Sequence, residues 1–142
     1  MLLYRAVYPT VGPARNPNMP RFVVLEHDWP TRHWDFLLEA GPVLKAWRLL
    51  AEPGYGVDVL AESIADHRLF YLDHEGPVPG DRGTVTRWDA GSYTCHTTEF
   101  PRFRLFGTRL KGIATIASGR WRIEREVAAA GSCDDLGRAE VE

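Results

Sequence analysis

From residue 21 onward the chain alternates between short apolar runs and turn signals. Arg21-Phe22-Val23-Val24-Leu25 reads as a strand. Pro30 breaks the chain, because proline cannot donate to a sheet ladder and restricts the residue before it. His33-Trp34-Asp35-Phe36-Leu37-Leu38-Glu39 reads as a second strand, and Val43 to Leu50 as a third. Turns are expected at Trp29-Pro30 and at Ala40-Gly41-Pro42, and a loop at Glu52 to Gly56. Val57 to Ala65 fits two periods. Val57, Val59 and Ala61 would share a strand face, whereas Leu60, Ile64 and His67 fit a helix and Ala61-Glu62 favours one; a short helix or turn followed by a strand is expected. Asp73 to Arg82 is rich in Gly and Pro and reads as loop. Gly83 to Ala90 and Ser92 to Thr98 are expected to form a hairpin turning at Asp89-Ala90-Gly91. Phe100 to Leu105 and Leu110 to Ala117 are expected to form another, turning at Gly107-Thr108. Trp121 to Val127 alternates apolar and charged residues, as a half-buried strand does.

Many short strands with regular turn signals predict a mainly β protein. The expected architecture is a small closed or nearly closed antiparallel β-barrel with one or two short helices. Closure would bury the strand edges. The 142 residues fit one domain, with an N-terminal arm at 1–20, the barrel at 21–127 and a flexible tail at 128–142. Four prolines and a glycine make the arm extended rather than helical. It either covers the barrel or is a mobile leader.

Composition changes this picture little. Apolar content of 44% and charge of 25% are ordinary for a globular domain. A net charge of −2 gives no global pull toward nucleic acid, so any such binding must be local. Cys95 and Cys133 form neither a metal spacing nor a disulfide framework, which fits a reducing cytoplasm. No run approaches the roughly 20 apolar residues of a membrane span.

The candidate chemistry lies between the first two strands. Side chains at i and i+2 of a strand share a face, so His33 and Asp35 project together. His27 ends the preceding strand, and a short turn can fold it back beside them. Two imidazoles and a carboxylate make an open three-ligand set for a divalent transition metal, with positions left for water or substrate. Spacing alone also allows a turn histidine beside a half-exposed strand pair. Asp28 reads as a turn cap. Glu39 shares the face further along, either as support behind the ligands or as a solvated strand end.

The run His27-Asp28, four residues, then His33-x-Asp35-Phe36-x-Leu38-Glu39 resembles the signature of the 3′-phosphoesterase domain of bacterial DNA ligase D, also called the DNA polymerase ligase N-terminal domain. Val43-Leu44-Lys45-Ala46-Trp47 resembles that family's "GVLKSW" strand, and Asp66 to Gly76 its "EDHPLDYADFEG" segment. Gly83-Thr84-Val85 with Trp88-Asp89-x-Gly91 resembles "GTVIVWDRG", and Leu105 to Gly112 resembles "LHGEKLKG". The motifs run in order from Arg21 to about Arg125. The resemblance implies a small β-barrel that hydrolyses phosphate at DNA or RNA 3′ ends in repair. It implies His27, His33 and Asp35 as ligands of Mn²⁺, with Zn²⁺ an alternative for the same donors. It also implies His67 and Tyr71 on the phosphate, with His67 as donor or general acid. The partners implied are nucleic-acid 3′ ends and a separate DNA ligase or polymerase.

The chain also departs from the family. The family motif reads Asp-Phe-Arg-Leu-Glu, and the arginine position is Leu37 here. A second family arginine falls at Val59, and the "PEGEYGAG" loop is shortened to Pro79-Gly80-Asp81-Arg82-Gly83. Leucine and valine cannot give phosphate the bidentate, charge-assisted bonds of arginine. Arg48 and Arg82 are candidate substitutes; the plain alternative is that both are surface arginines. Arg102, Arg104, Arg109 and Lys111 form a candidate nucleic-acid face, or else a solvated outer wall. Two alternatives to the phosphoesterase stay open. One is an impaired homologue that keeps barrel and metal and binds nucleic-acid ends or repair partners. The other is an esterase for a less charged phosphate.

Overall fold

The computed structural model describes residues 19–97 and 101–126. Residues 1–18 of the expected arm and the whole expected tail lie outside the described residues. The strands are β1 Arg21–His27, β2 His33–Ala40, β3 Val43–Leu49, β4 Val59–Arg68, β5 Gly76–Pro77, β6 Thr84–Thr97, β7 Arg102–Gly107, β8 Lys111–Ala117 and β9 Arg120–Arg125. They pair in the order β1-β2-β3-β4-β9-β8-β7-β6, and β1 also pairs with β6, closing an eight-stranded barrel. Every pairing between named strands is antiparallel. The two-residue β5 lies on the outer edge of β6.

Two expectations are corrected. Val59–Arg68 is one strand with no helix before it. Its start pairs with β9, opposing Val59 to Trp121, and its remainder pairs with β3. Cross-strand pairing overrides the local helix preference of Ala61-Glu62. The expected hairpin at Asp89-Ala90-Gly91 is instead the middle of a single 14-residue strand, β6. Its first half pairs with β1 and its second with β7, so the strand passes from one neighbour to the other without turning. Gly91 permits this, because a Cβ there would collide with the Phe106 carbonyl. The helix content reduces to one 3₁₀ turn, Leu69–Leu72, among the described residues.

Alternation along the strands builds two apolar layers. The interior layer centres on Phe36, whose ring lies 5.5 Å from Trp121, 6.0 Å from Trp47 and 6.3 Å from Phe22. The outer layer holds Val23, Leu25, Leu37, Leu44, Leu72, Val78 and Val85. It lies where the 3₁₀ turn and the loop before β6 cover the outside of β1–β3. β2 is therefore buried along both faces, and only its last residue is partly open.

Candidate active site

The covered outer face carries the polar residues of interest. Antiparallel pairing sets His27 opposite His33 and Leu25 opposite Asp35. Residues 25, 27, 33 and 35 therefore present neighbouring side chains on that face. One donor atom from each of His27, His33 and Asp35 lies within 4.8 Å of the others.

Backbone carbonyls fix both imidazoles. His33 Nδ1 donates to the Thr31 carbonyl at 2.8 Å, leaving Nε2 3.2 Å from Asp35 Oδ1. His27 Nε2 donates to the Arg82 carbonyl at 2.7 Å, leaving Nδ1 3.7 Å from Asp35 Oδ2. Both rings thus turn a free nitrogen toward one carboxylate. Anchoring the second ring nitrogen in this way is the usual support for a metal-binding histidine. His33 Nε2 and Asp35 Oδ1 are buried and, though 3.2 Å apart, neither makes a hydrogen bond of proper geometry. Buried polar atoms without partners call for an explanation, and a bound cation supplies one. The donor set and its orphaned atoms fit a divalent ion.

The local field also favours a cation. Burial works to raise the Asp35 pKa, yet the two imidazoles facing the carboxylate outweigh it and hold it down at about 2. His27 is raised above its ordinary value by the Asp35 carboxylate it faces, in spite of its own burial. A carboxylate that stays ionised while buried draws positive charge to this point.

His27 and Asp35 line a cleft of about 500 Å³, and His33 lies buried behind them. His67, at the end of β4, and Tyr71, on the 3₁₀ turn, both line it, with ring centroids 5.8 Å apart. His67 Nδ1 donates to the Ala65 carbonyl at 3.0 Å, so its free nitrogen is Nε2. Arg48 lines the cleft from β3, opposite Asp35 in the register. Its Nε is buried without a partner. Arg82 lines the cleft too, but its Nε donates to the Pro79 carbonyl at 2.8 Å.

Other candidates lie elsewhere. Leu37 is fully buried in the outer apolar layer, and Val59 is in the barrel interior. Glu39 is neither a solvated strand end nor close behind the ligands. It is buried, and it accepts from the Arg21 amide at 2.8 Å, fixing the start of β1. Asp28 caps the turn as expected, accepting from the Thr84 amide at 2.7 Å. Arg102, Arg104, Arg109 and Lys111 are on and between β7 and β8, and β8 lies across the barrel from β2. None of them lines the cleft. Arg104 pairs with Glu126, and Arg109 stacks over Trp88 at 4.3 Å.

Sequence reasoning missed two contributors. The Arg82 carbonyl orients His27, and a backbone acceptor leaves no trace in residue type. Trp29 stands at the lip of the cleft; its only signal was an apolar residue placed in a turn.

Residues 25–118 match the family described as DNA Ligase D 3'-phosphoesterase domain. The multifunctional non-homologous end joining protein LigD of Pseudomonas aeruginosa is 34% identical over 119 residues, which is 74% of this chain and 13% of that protein. The multifunctional non-homologous end joining DNA repair protein LigD of Mycobacterium tuberculosis (strain H37Rv) is 36% identical over 90 residues, 60% of this chain and 12% of that protein. The chain thus spans a small part of the curated relatives it matches.

Proposed function

We propose, for a chain that belongs to the DNA Ligase D 3'-phosphoesterase domain family, a divalent-metal-dependent phosphoesterase that acts on nucleic-acid 3′ ends in DNA repair. The observation that carries this reading is the pair of carbonyl-anchored imidazoles whose free nitrogens converge on Asp35 at a cleft. His27, His33 and Asp35 hold the ion. Mn²⁺ is the ion the resemblance favours, and Zn²⁺ suits the same donors. When bound, such an ion supplies Lewis-acid activation of a phosphoryl oxygen and of water.

The chain's own groups do the rest. Arg48, with a buried and unpartnered Nε, binds and orients the phosphoryl group. It takes the part that Leu37 and Val59 cannot. Arg82 supports His27 through its carbonyl and has its Nε engaged with Pro79, so its contribution to phosphate is secondary. The Tyr71 hydroxyl donates to a phosphoryl oxygen. His67, held by the Ala65 carbonyl, offers protonated Nε2 to the leaving hydroxyl. The substrate is a 3′-phosphate or 3′-ribonucleotide end. The product is a 3′-hydroxyl, the end that a ligase or polymerase uses.

Release of phosphate or nucleoside from such ends tests the reading, measured with Mn²⁺ and with chelator for wild type and His33→Ala. Metal-dependent turnover is expected in the wild type. In His33→Ala it falls at least about a hundredfold, since even support groups behind a ligand are worth roughly 10–100-fold. A folded, metal-loaded wild type with no turnover overturns it. One observation favours a second reading. Leu25, Ile64, Val78 and Val85 make part of the cleft wall apolar, which suits a less charged phosphate. Turnover of cyclic phosphates or diesters in place of terminal monoesters, still lost in His33→Ala, would select it.

A further inference from the structure

Five tryptophans occur in the chain, and four have evident packing. Trp34 and Trp121 are buried, and Trp47 packs on the interior layer. Trp88 lies under Arg109 and donates to Glu52 at 3.1 Å. Trp29 is different. It is 42% exposed, and it makes no hydrogen bond or ring contact with another described side chain. Six large apolar side chains are exposed among the described residues, and of these Trp29 alone lines the cleft.

Its position is fixed from below. Asp28 accepts from the Thr84 amide at 2.7 Å, and the Asp28 amide donates back to the Thr84 carbonyl at 3.3 Å. Gly83, at φ +78°, lies flush against this turn, where a Cβ would collide with the Asp28 carboxylate and the Trp29 Cβ. The backbone that carries the indole is therefore held at the lip, two residues from His27, on a turn tied to the start of β6. An exposed indole on a tied turn beside a phosphate site is a stacking surface. Aromatic side chains bind unpaired bases in this way with little regard to sequence, because every base has a π-face.

Resting on the phosphoesterase reading, we propose that Trp29 stacks on the nucleobase of the terminal nucleotide whose phosphate enters the cleft. The protein would then select base-bearing single-stranded ends over abasic ends or small phosphate esters. Arg48 and the triad recognise the phosphoryl group, and Trp29 recognises that a base is attached to it.

The test uses a 5′-labelled short single-stranded oligonucleotide with a 3′-hydroxyl, the product form, which cannot turn over. Anisotropy is measured in Mn²⁺ with a normal and with an abasic terminal residue. Wild type is expected to prefer the base-bearing end roughly tenfold. Trp29→Ala loses that preference while its affinity for the abasic end is unchanged, and Trp29→Phe keeps most of it. Equal binding of the two ends by wild type overturns the proposal without any variant. So does a Trp29→Ala protein that still discriminates, or the absence of oligonucleotide binding. Turnover in the phosphate-release assay is scored separately. Loss of the phosphoesterase reading and loss of this one therefore give different results.

Discussion

The two faces of β2 make different demands on the same eight residues. Inward, Trp34, Phe36 and Leu38 fill the barrel with large rings and aliphatic groups. Outward, His33 and Asp35 sit in a layer otherwise made of Val23, Leu25, Leu37 and Leu44. Both faces are buried and both leave polar atoms without partners, Trp34 Nε1 inside and His33 Nε2 and Asp35 Oδ1 outside, but only the outer face gathers ionisable donors at a cleft. The interior depends on filled volume, to which many residues contribute. The outer site depends on a few atoms in fixed directions, so single substitutions there should change function more than stability.

Phe36→Ala is the largest predicted effect and attacks the interior side of this contrast. Phe36 is fully buried and its ring lies near those of Phe22, Trp47, Phe103 and Trp121. Truncating a buried phenylalanine costs about 3–5 kcal/mol, a large part of a small domain's stability. Urea unfolding should show the midpoint fall with the slope unchanged. A loss below about 1 kcal/mol would mean that the interior is loosely packed and that the two faces do not differ in kind.

Arg48 sharpens the comparison from the outer side. Arg48→Gln should lower kcat/KM by tenfold to a hundredfold, the order expected for one lost hydrogen bond to a charged group. Phosphate affinity should fall with it. Arg48→Lys should recover part of the loss, since it keeps the charge but not the planar fork. Unfolding stability should hardly move, because Nε has no partner to lose. A variant that unfolds readily while phosphate affinity persists would make Arg48 a structural residue.

How much was legible follows the same division. β1 to β3 could be read because each turn is marked by proline or glycine and each strand by period-2 alternation. That alternation alone puts His33 and Asp35 on one face. β6 could not be read. Asp89-Ala90-Gly91 has the composition of a turn, but Asp89 is buried, and its carboxylate accepts from the amides of Thr108, Arg109 and Leu110 at 2.9, 3.1 and 2.8 Å. It shapes the turn between β7 and β8, about twenty residues on, and no local rule could assign it there. β4 failed for a related reason, since its partners β3 and β9 flank it in the barrel but β9 is distant in sequence. Glu39 read either as support behind the ligands or as a strand end open to water. It became a buried acceptor only because the start of β1 runs beside it. The arginine question was legible as an absence at Leu37 and Val59, and Arg48 and Arg82 could both be named from residue type. Preferring Arg48 needed the β2–β3 register, which puts residue 48 opposite Asp35, and the engagement of Arg82 Nε with Pro79.

The smallest predicted effect tests whether the lip is a separable layer. Asp28 is exposed, so its carboxylate contact with the Thr84 amide is worth about 1 kcal/mol. Asp28→Ala should lower the unfolding free energy by about that amount. It should also raise KM a few-fold for base-bearing ends while kcat holds, because the turn carrying Trp29 loosens and the triad does not. Asp28→Asn keeps an acceptor oxygen at the same place and should restore both quantities. Denaturant melts and a KM-against-kcat split on the three proteins decide the matter. A kcat loss in Asp28→Ala as large as the KM change would show that the turn also holds His27, since Asp28 follows it directly. The lip and the candidate ligands would then be one mechanical unit, and the contrast between an interior that sets stability and an outer face that sets function would extend to the cleft's edge.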